Sequence, residues 1–215
     1  MSTGIDSATP IYKKGGKRAL DLIICILALP VALPFLVLIA IIVRIHFGSP
    51  VLFTQERLGA QGRPFFIRKF RTMTNALDAN GKLLPDAERL TAVGRFLRAT
   101  SLDELPELIN VFRGEMSLVG PRPLFSHYRD RYTTEQFRRH EVSPGITGWA
   151  QIKGRNVLSW EQKFVFDVWY VDHQSLGLDL KILALTFLKI FTRDGISQPG
   201  HATAQEFEGT LSKQA

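Results

Sequence analysis

The sequence predicts a mainly α fold with a small β-hairpin, organised around an N-terminal membrane-embedded helix, with interfacial helices and a compact domain beside it. Three observations carry this expectation. From Leu22 to Val43, 22 consecutive residues have no polar side chain. Basic residues flank both ends of that run. The 215-residue chain is 45% apolar and 22% charged, a balance typical of a folded chain long enough to bury a core.

At about 1.5 Å per helical residue the apolar run reaches roughly 33 Å, against a hydrocarbon core of about 30 Å. A cleavable signal peptide fits it poorly, because the run starts late and exceeds the usual apolar length. Pro30 and Pro34 lie inside it, and each removes a backbone donor, so a kink or break is expected. Lys13 to Arg18 precede the run and Arg44 to Arg71 follow it, whereas a spanning helix concentrates its positive loops on one side. A re-entrant helix and a kinked spanning helix both remain open on these grounds. Up to Asn75 there are ten basic residues against three acidic ones, and the remaining 17 of each sign cancel, so the net charge of +7 belongs to this region. The neutral balance of residues 76–215 speaks against a nucleic-acid groove there. The single cysteine, Cys25, excludes an intrachain disulfide framework and a multi-cysteine zinc site.

Beyond the run, VLFTQ (51–55) and PFFIRKF (64–70), separated by a glycine-containing link, predict a hairpin. A helix is expected around Arg89 to Arg98. In SLDELPELINVF (101–112) the apolar residues share a helical stripe, and Ser101 with Glu104 has the spacing of a capping box. Asp103 is the alternative cap, since Pro106 would then fall in the first turn. Residues 116–156 are rich in glycine and proline and predict ordered loops. Ser159 to Gln162 is a second capping box, and Asp179 is expected to cap a final apolar helix.

Asp103 and Glu104 are the leading chemical candidates, and neighbouring helical positions point them to different tasks. Arg122, between Pro121 and Pro123, is presented on a restricted backbone suited to a phosphate. Lys69, Arg98 and Arg155 are further cations, each read by itself as a solvated surface charge. The five histidines show no metal-ligand spacing.

Taken in order, KRALD (17–21), FTQERLG (53–59), FRTM (70–73), TSLDELPELINVFRGEMSLVGPRP (100–123), PGITGWAQIKGRN (144–156) and LDLKIL (178–183) resemble the bacterial sugar transferase family, the monotopic polyprenyl-phosphate phosphoglycosyltransferases. The resemblance is close to its small, single-domain members. It implies an N-terminal membrane-embedded re-entrant (kinked) helix and transfer of a sugar 1-phosphate from a UDP-sugar to a polyprenyl phosphate such as undecaprenyl phosphate, with release of UMP. It implies a nucleophilic aspartate at Asp103 with Glu104 beside it, and Mg²⁺ as cofactor held at Asp103. Lys69, Arg98, Arg122, Arg155 and Asp167 are implied as substrate-binding, and Pro30 and Pro34 as membrane residues. The expected partners are the UDP-sugar, polyprenyl phosphate and membrane lipids, with no nucleic acid. The expected location is the bacterial inner membrane, with the active site on its cytosolic face. The short form and the sequence of residues 195–209 resemble members that use N-acetylated amino sugars. The family helix commonly breaks at Ser-Pro; here the matching pair is Leu33-Pro34, and Pro30 offers a second break. The implied organisation is a polar N-terminal tail (1–16), the membrane helix (17–46), a catalytic domain (47–200) and a C-terminal tail (201–215). The competing expectation is a non-catalytic, membrane-anchored module that binds anionic lipid or nucleic acid.

Overall fold

The computed structural model describes residues 12–154, 157–192 and 206–210. Helix α1, Lys17–Phe47, takes in the whole apolar run and is helical without a break through Pro30 and Pro34. The expected interruption is therefore absent at the level of secondary structure; two missing donors leave the rest of the hydrogen-bond ladder to carry the helix. Its burial is uneven along its length. Asp21 and Cys25 are buried near its start and Ile39 and Val43 near its end, while Leu27, Val31, Phe35 and Leu38 between them are more than half exposed.

The two buried ends meet the same domain. Near the start, Cys25 joins a core of Phe65, Ile67, Val111, Met116, Val119, Tyr170 and Ile182. Polar contacts tie that end down: Asp21 accepts from the Leu118 amide at 3.2 Å, and Arg18 donates to the Phe112 carbonyl at 2.8 Å. Near its end, Ile39 and Val43 pack with Phe70 and Leu97. Arg71 secures the following link, donating to the Phe47 and Pro50 carbonyls at 3.1 Å each.

The hairpin expected from the sequence forms from β1, Leu52–Leu58, and β2, Pro64–Phe70, antiparallel with Leu52 opposite Phe70 and Leu58 opposite Pro64. A short helix α2, Asp86–Arg89, precedes α3, Ala92–Ala99, which Thr91 caps by accepting from the Gly94 amide. Gly94 is needed for close packing: a Cβ there would lie 1.8 Å from the Thr72 carbonyl oxygen. The one helix expected over 101–112 is two pieces, a 3₁₀ turn Leu102–Glu104 and then α4, Glu107–Arg113. Neither predicted cap forms. Ser101 is left-handed, with φ of 55°, and its side chain caps nothing; Pro106 precedes α4, and Glu104 is engaged elsewhere.

The glycine-rich region holds a feature that the sequence pattern did not show, a parallel pair of β3, Ser117–Val119, and β4, Gly145–Thr147. Three-residue strands fall below the length at which alternation can be recognised. The strands approach closely because of their glycines, since a Cβ on Gly120 would lie 2.3 Å from the Ser143 carbonyl oxygen.

Helices α5, Thr134–Phe137, α6, Trp149–Lys153, and α7, Trp160–His173, follow, with the reciprocal Ser159–Gln162 capping box present as expected. The last helix, α8, runs Leu176–Thr192, longer than expected, and Asp179 is not its cap. Instead Asp179 is fully buried and accepts from Lys17 Nζ at 2.5 Å and Tyr170 Oη at 2.7 Å, joining α8 to the start of α1. Residues 206–210, within the stretch read as a tail, dock on the domain. Phe207 is buried among Tyr128, Tyr132, Trp160 and Phe164, and Arg131 bonds Glu206 at 2.8 Å.

Candidate active site

The site gathers where β2, α3, the Leu102–Glu104 turn and the loop after β3 converge. Asn110 on α4 fixes the edge of β2, accepting from the Arg68 amide at 3.2 Å and donating to the Phe66 carbonyl at 2.7 Å. This clamp sets the position of Lys69, the next residue on β2. Lys69 Nζ lies 2.6 Å from Glu104 Oε1 and 3.1 Å from Glu107 Oε1. Arg122 reaches the same Glu104 oxygen at 2.5 Å. Glu104 is thus locked between two cations.

Asp103 is buried, with 8% of its surface exposed, and among the described residues its carboxylate has no hydrogen-bond or ion-pair partner. The two neighbouring acids therefore differ in state. Burial pushes the Asp103 carboxyl up to about 6, and the Glu104 charge adds to the rise against the pull of Lys69, Arg98 and Arg122. Burial also opposes the ionisation of Glu104, but Arg122 and Lys69 outweigh it and hold that carboxyl well below the usual range. Glu107, buried beside Lys69, is pushed by burial up to about 7.

The structure brings Lys69, Arg98, Asp103, Glu104 and Arg122 into mutual electrostatic reach. Arg98 is oriented by its Nε donating to Thr72 Oγ1 at 3.0 Å. Asp167 stands apart from this group, in a buried ion pair with Arg139 at 2.8 Å. The same Arg139 donates to the Arg122 carbonyl at 2.7 Å, so this pair braces the Pro-Arg-Pro loop from behind. The other brace is the Gly145 amide, which donates to the Pro121 carbonyl at 3.0 Å. Arg155 lies outside the described residues. Sequence reasoning missed Glu107 and Arg139. Glu107 could have been found from its spacing three residues after Glu104, whereas nothing local distinguishes Arg139 from its neighbour Arg138.

Among the described residues no group of three histidine, cysteine or acidic side chains is placed to hold a metal. Asp103 nevertheless suits Mg²⁺, which commonly binds through one or two carboxylates together with substrate phosphates.

A nucleophilic or phosphate-facing role for Asp103 requires its anion. The carboxyl is half ionised near pH 6 and ionised above it, so kcat/KM should fall about tenfold per unit below about pH 6 and level off above it. A pH–rate profile flat through this range would sink the assignment.

Residues 12–193 match the family model described as bacterial sugar transferase. The family match and the relatives it brings define a sugar transferase of the phosphoglycosyltransferase class. The chain belongs to the bacterial sugar transferase family. It is 54% identical over 194 residues to an uncharacterized sugar transferase, EpsL, of Bacillus subtilis (strain 168), a match covering 90% of this chain and 96% of that protein. It is 41% identical over 187 residues to a UDP-glucose:undecaprenyl-phosphate glucose-1-phosphate transferase of Escherichia coli (strain K12), covering 81% of this chain and 40% of that enzyme. A protein of the same description from Caulobacter vibrioides is 39% identical over 193 residues, covering 83% of this chain and 70% of its own length.

Proposed function

We propose that this chain transfers a sugar 1-phosphate from a UDP-sugar to undecaprenyl phosphate through a covalent intermediate on Asp103, at the cytosolic face of a bacterial inner membrane. The observation that carries this reading is the contrast between the two acids. Glu104 is engaged by Lys69 and Arg122, while Asp103 is buried with its carboxylate unpartnered among the described residues. A carboxylate whose basicity is raised and whose lone pairs are unengaged is suited to attack phosphorus.

In the first step an Asp103 oxygen bonds to the sugar-bearing phosphorus of the donor, and the bond from that phosphorus to the bridging oxygen breaks, releasing UMP. In the second step an oxygen of undecaprenyl phosphate attacks the same phosphorus, and the Asp103 carboxylate leaves. The acceptor is already an anion, so neither step needs a strong base. Lys69, Arg98 and Arg122 offset the repulsion among the anions, and Glu104 holds two of these cations in place. Asp103, with the substrate phosphates, would hold Mg²⁺, which when bound would further neutralise phosphate charge.

The exposed middle of α1 lies in the cytosolic leaflet, and the helix enters and leaves on one side. In support, both ends of α1 pack on a single domain while the apolar stretch between them faces outward. Cysteines introduced at Ala19 and Glu56 in a Cys25→Ser background should be labelled from the same side of the membrane; labelling from opposite sides would rule out re-entry.

The reaction is tested by UMP release from a panel of UDP-sugars with undecaprenyl phosphate, including N-acetylated amino sugars beside glucose and galactose. Intact-mass detection should show a sugar-phosphate adduct when the acceptor is withheld. A protein that only binds anionic lipid would give neither signal.

A further inference from the structure

One partly buried cation plays no part in the reaction drawn above. Arg57 lies on β1, where its backbone forms a bridge with Phe125, three residues beyond Arg122, and the Leu58 amide donates to the Leu124 carbonyl at 3.0 Å. Its guanidinium carbon sits 3.7 Å from the centroid of the Phe125 ring. Among the described residues its side chain donates one hydrogen bond, to a neutral group, Gln55 Oε1 at 2.6 Å. Among the described residues its buried Nε has no hydrogen-bond partner and no carboxylate pairs with it.

A partly buried guanidinium whose buried Nε lacks a partner among the described residues is left under-satisfied until an anion completes it. We propose that Arg57 is a second phosphate-binding cation beside Arg122, taking a phosphate oxyanion of the bound substrate. This rests on the transfer reaction proposed above. Its surroundings favour the donor's diphosphate over the lipid phosphate, because the exposed ring of His127, stacked on Phe125 with centroids 5.1 Å apart, offers a nucleotide an aromatic face next to it.

Charge around the loop agrees with this. Burial, and then the positive charge of Arg122, push the Arg57 guanidinium down to about 10. Lys163, with its ammonium 4.5 Å from the Trp160 ring centroid, is likewise pushed down, by burial and then by Arg122. Cations that repel one another around one loop are relieved by an arriving anion.

The test compares Arg57→Ala and Arg57→Gln with an exposed control on the same strand, Glu56→Gln, all in full-length protein. UMP binding is read by thermal shift, and KM is measured for the UDP-sugar and for undecaprenyl phosphate separately. The expected result is a UMP dissociation constant and a donor KM each raised about tenfold or more, with acceptor KM and the control unchanged; tenfold corresponds to about 1.4 kcal/mol. A rise confined to the acceptor KM would assign the anion to the lipid phosphate. Wild-type UMP binding and both KM values unchanged in a folded variant would overturn the inference. Should Arg57→Ala fail to fold, Arg57→Gln, which can keep the Gln55 contact, decides. Failure of the wild type to release UMP would overturn the transfer reaction instead, and the UMP-binding comparison would still decide the role of Arg57.

Discussion

Asp103→Asn is expected to abolish turnover, lowering kcat by ~10⁴-fold or more, about 5 kcal/mol of barrier, while the protein keeps its melting temperature. An amide has nearly the size of the carboxylate but lacks the anionic oxygen that bonds to phosphorus in the proposed mechanism. Because Asp103 has no partner among the described residues, its replacement breaks no hydrogen bond or ion pair there. Folding should be indifferent, or slightly favoured, since a buried charge is removed. Glu104→Gln should behave differently. It loosens Lys69 and Arg122 together and leaves Asp103, the proposed nucleophile, intact, so a slower enzyme that still forms the adduct is expected. Near wild-type UMP release by Asp103→Asn would end the covalent mechanism.

The second large effect concerns stability and activity together. Arg139 and Asp167 are 2% and 4% exposed at their side chains, so removing one partner leaves the other charge buried alone. Arg139→Ala or Asp167→Ala should cost about 3–5 kcal/mol of folding free energy, measured by chemical denaturation. An apolar replacement of both, Arg139→Met with Asp167→Leu, should recover most of that loss, because no isolated charge remains. It should not recover activity, because the Arg122 carbonyl would still lack the donor that Arg139 supplies at 2.7 Å. Full activity in that double variant would show that the Pro-Arg-Pro loop needs no such support.

The sequence shows best what depends on long or chemically distinctive patterns. The apolar run, the hairpin and the Ser159 capping box are local, and each is found where its pattern places it. The parallel β3–β4 pair joins strands far apart in the chain and rests on backbone approach between glycines, which leaves no periodic trace. The capping motif at Ser101 misled for a different reason. A spacing rule assumes the carboxylate of Glu104 is available to its own helix, yet two cations from distant segments, Lys69 and Arg122, take it. Of the site, the acids and the loop arginine were legible because their motifs are short and ordered. The braces behind them were not, since the role of Arg139 is set by contacts made 28 residues away at Asp167.

The register of the hairpin acts as a depth gauge. Phe70 is pressed into the cluster at the end of α1, and Lys69, one residue earlier on β2, reaches Glu104. Adjacent residues on a strand point to opposite faces about 3.3 Å apart along the chain. A slip of one residue would put an ammonium against the apolar helix and a phenyl ring into the site. The height of Lys69 above α1 is therefore set by strand pairing rather than by a loop. In the proposed reaction an acceptor would leave its long hydrocarbon tail among the lipids and raise only its head group to that fixed level.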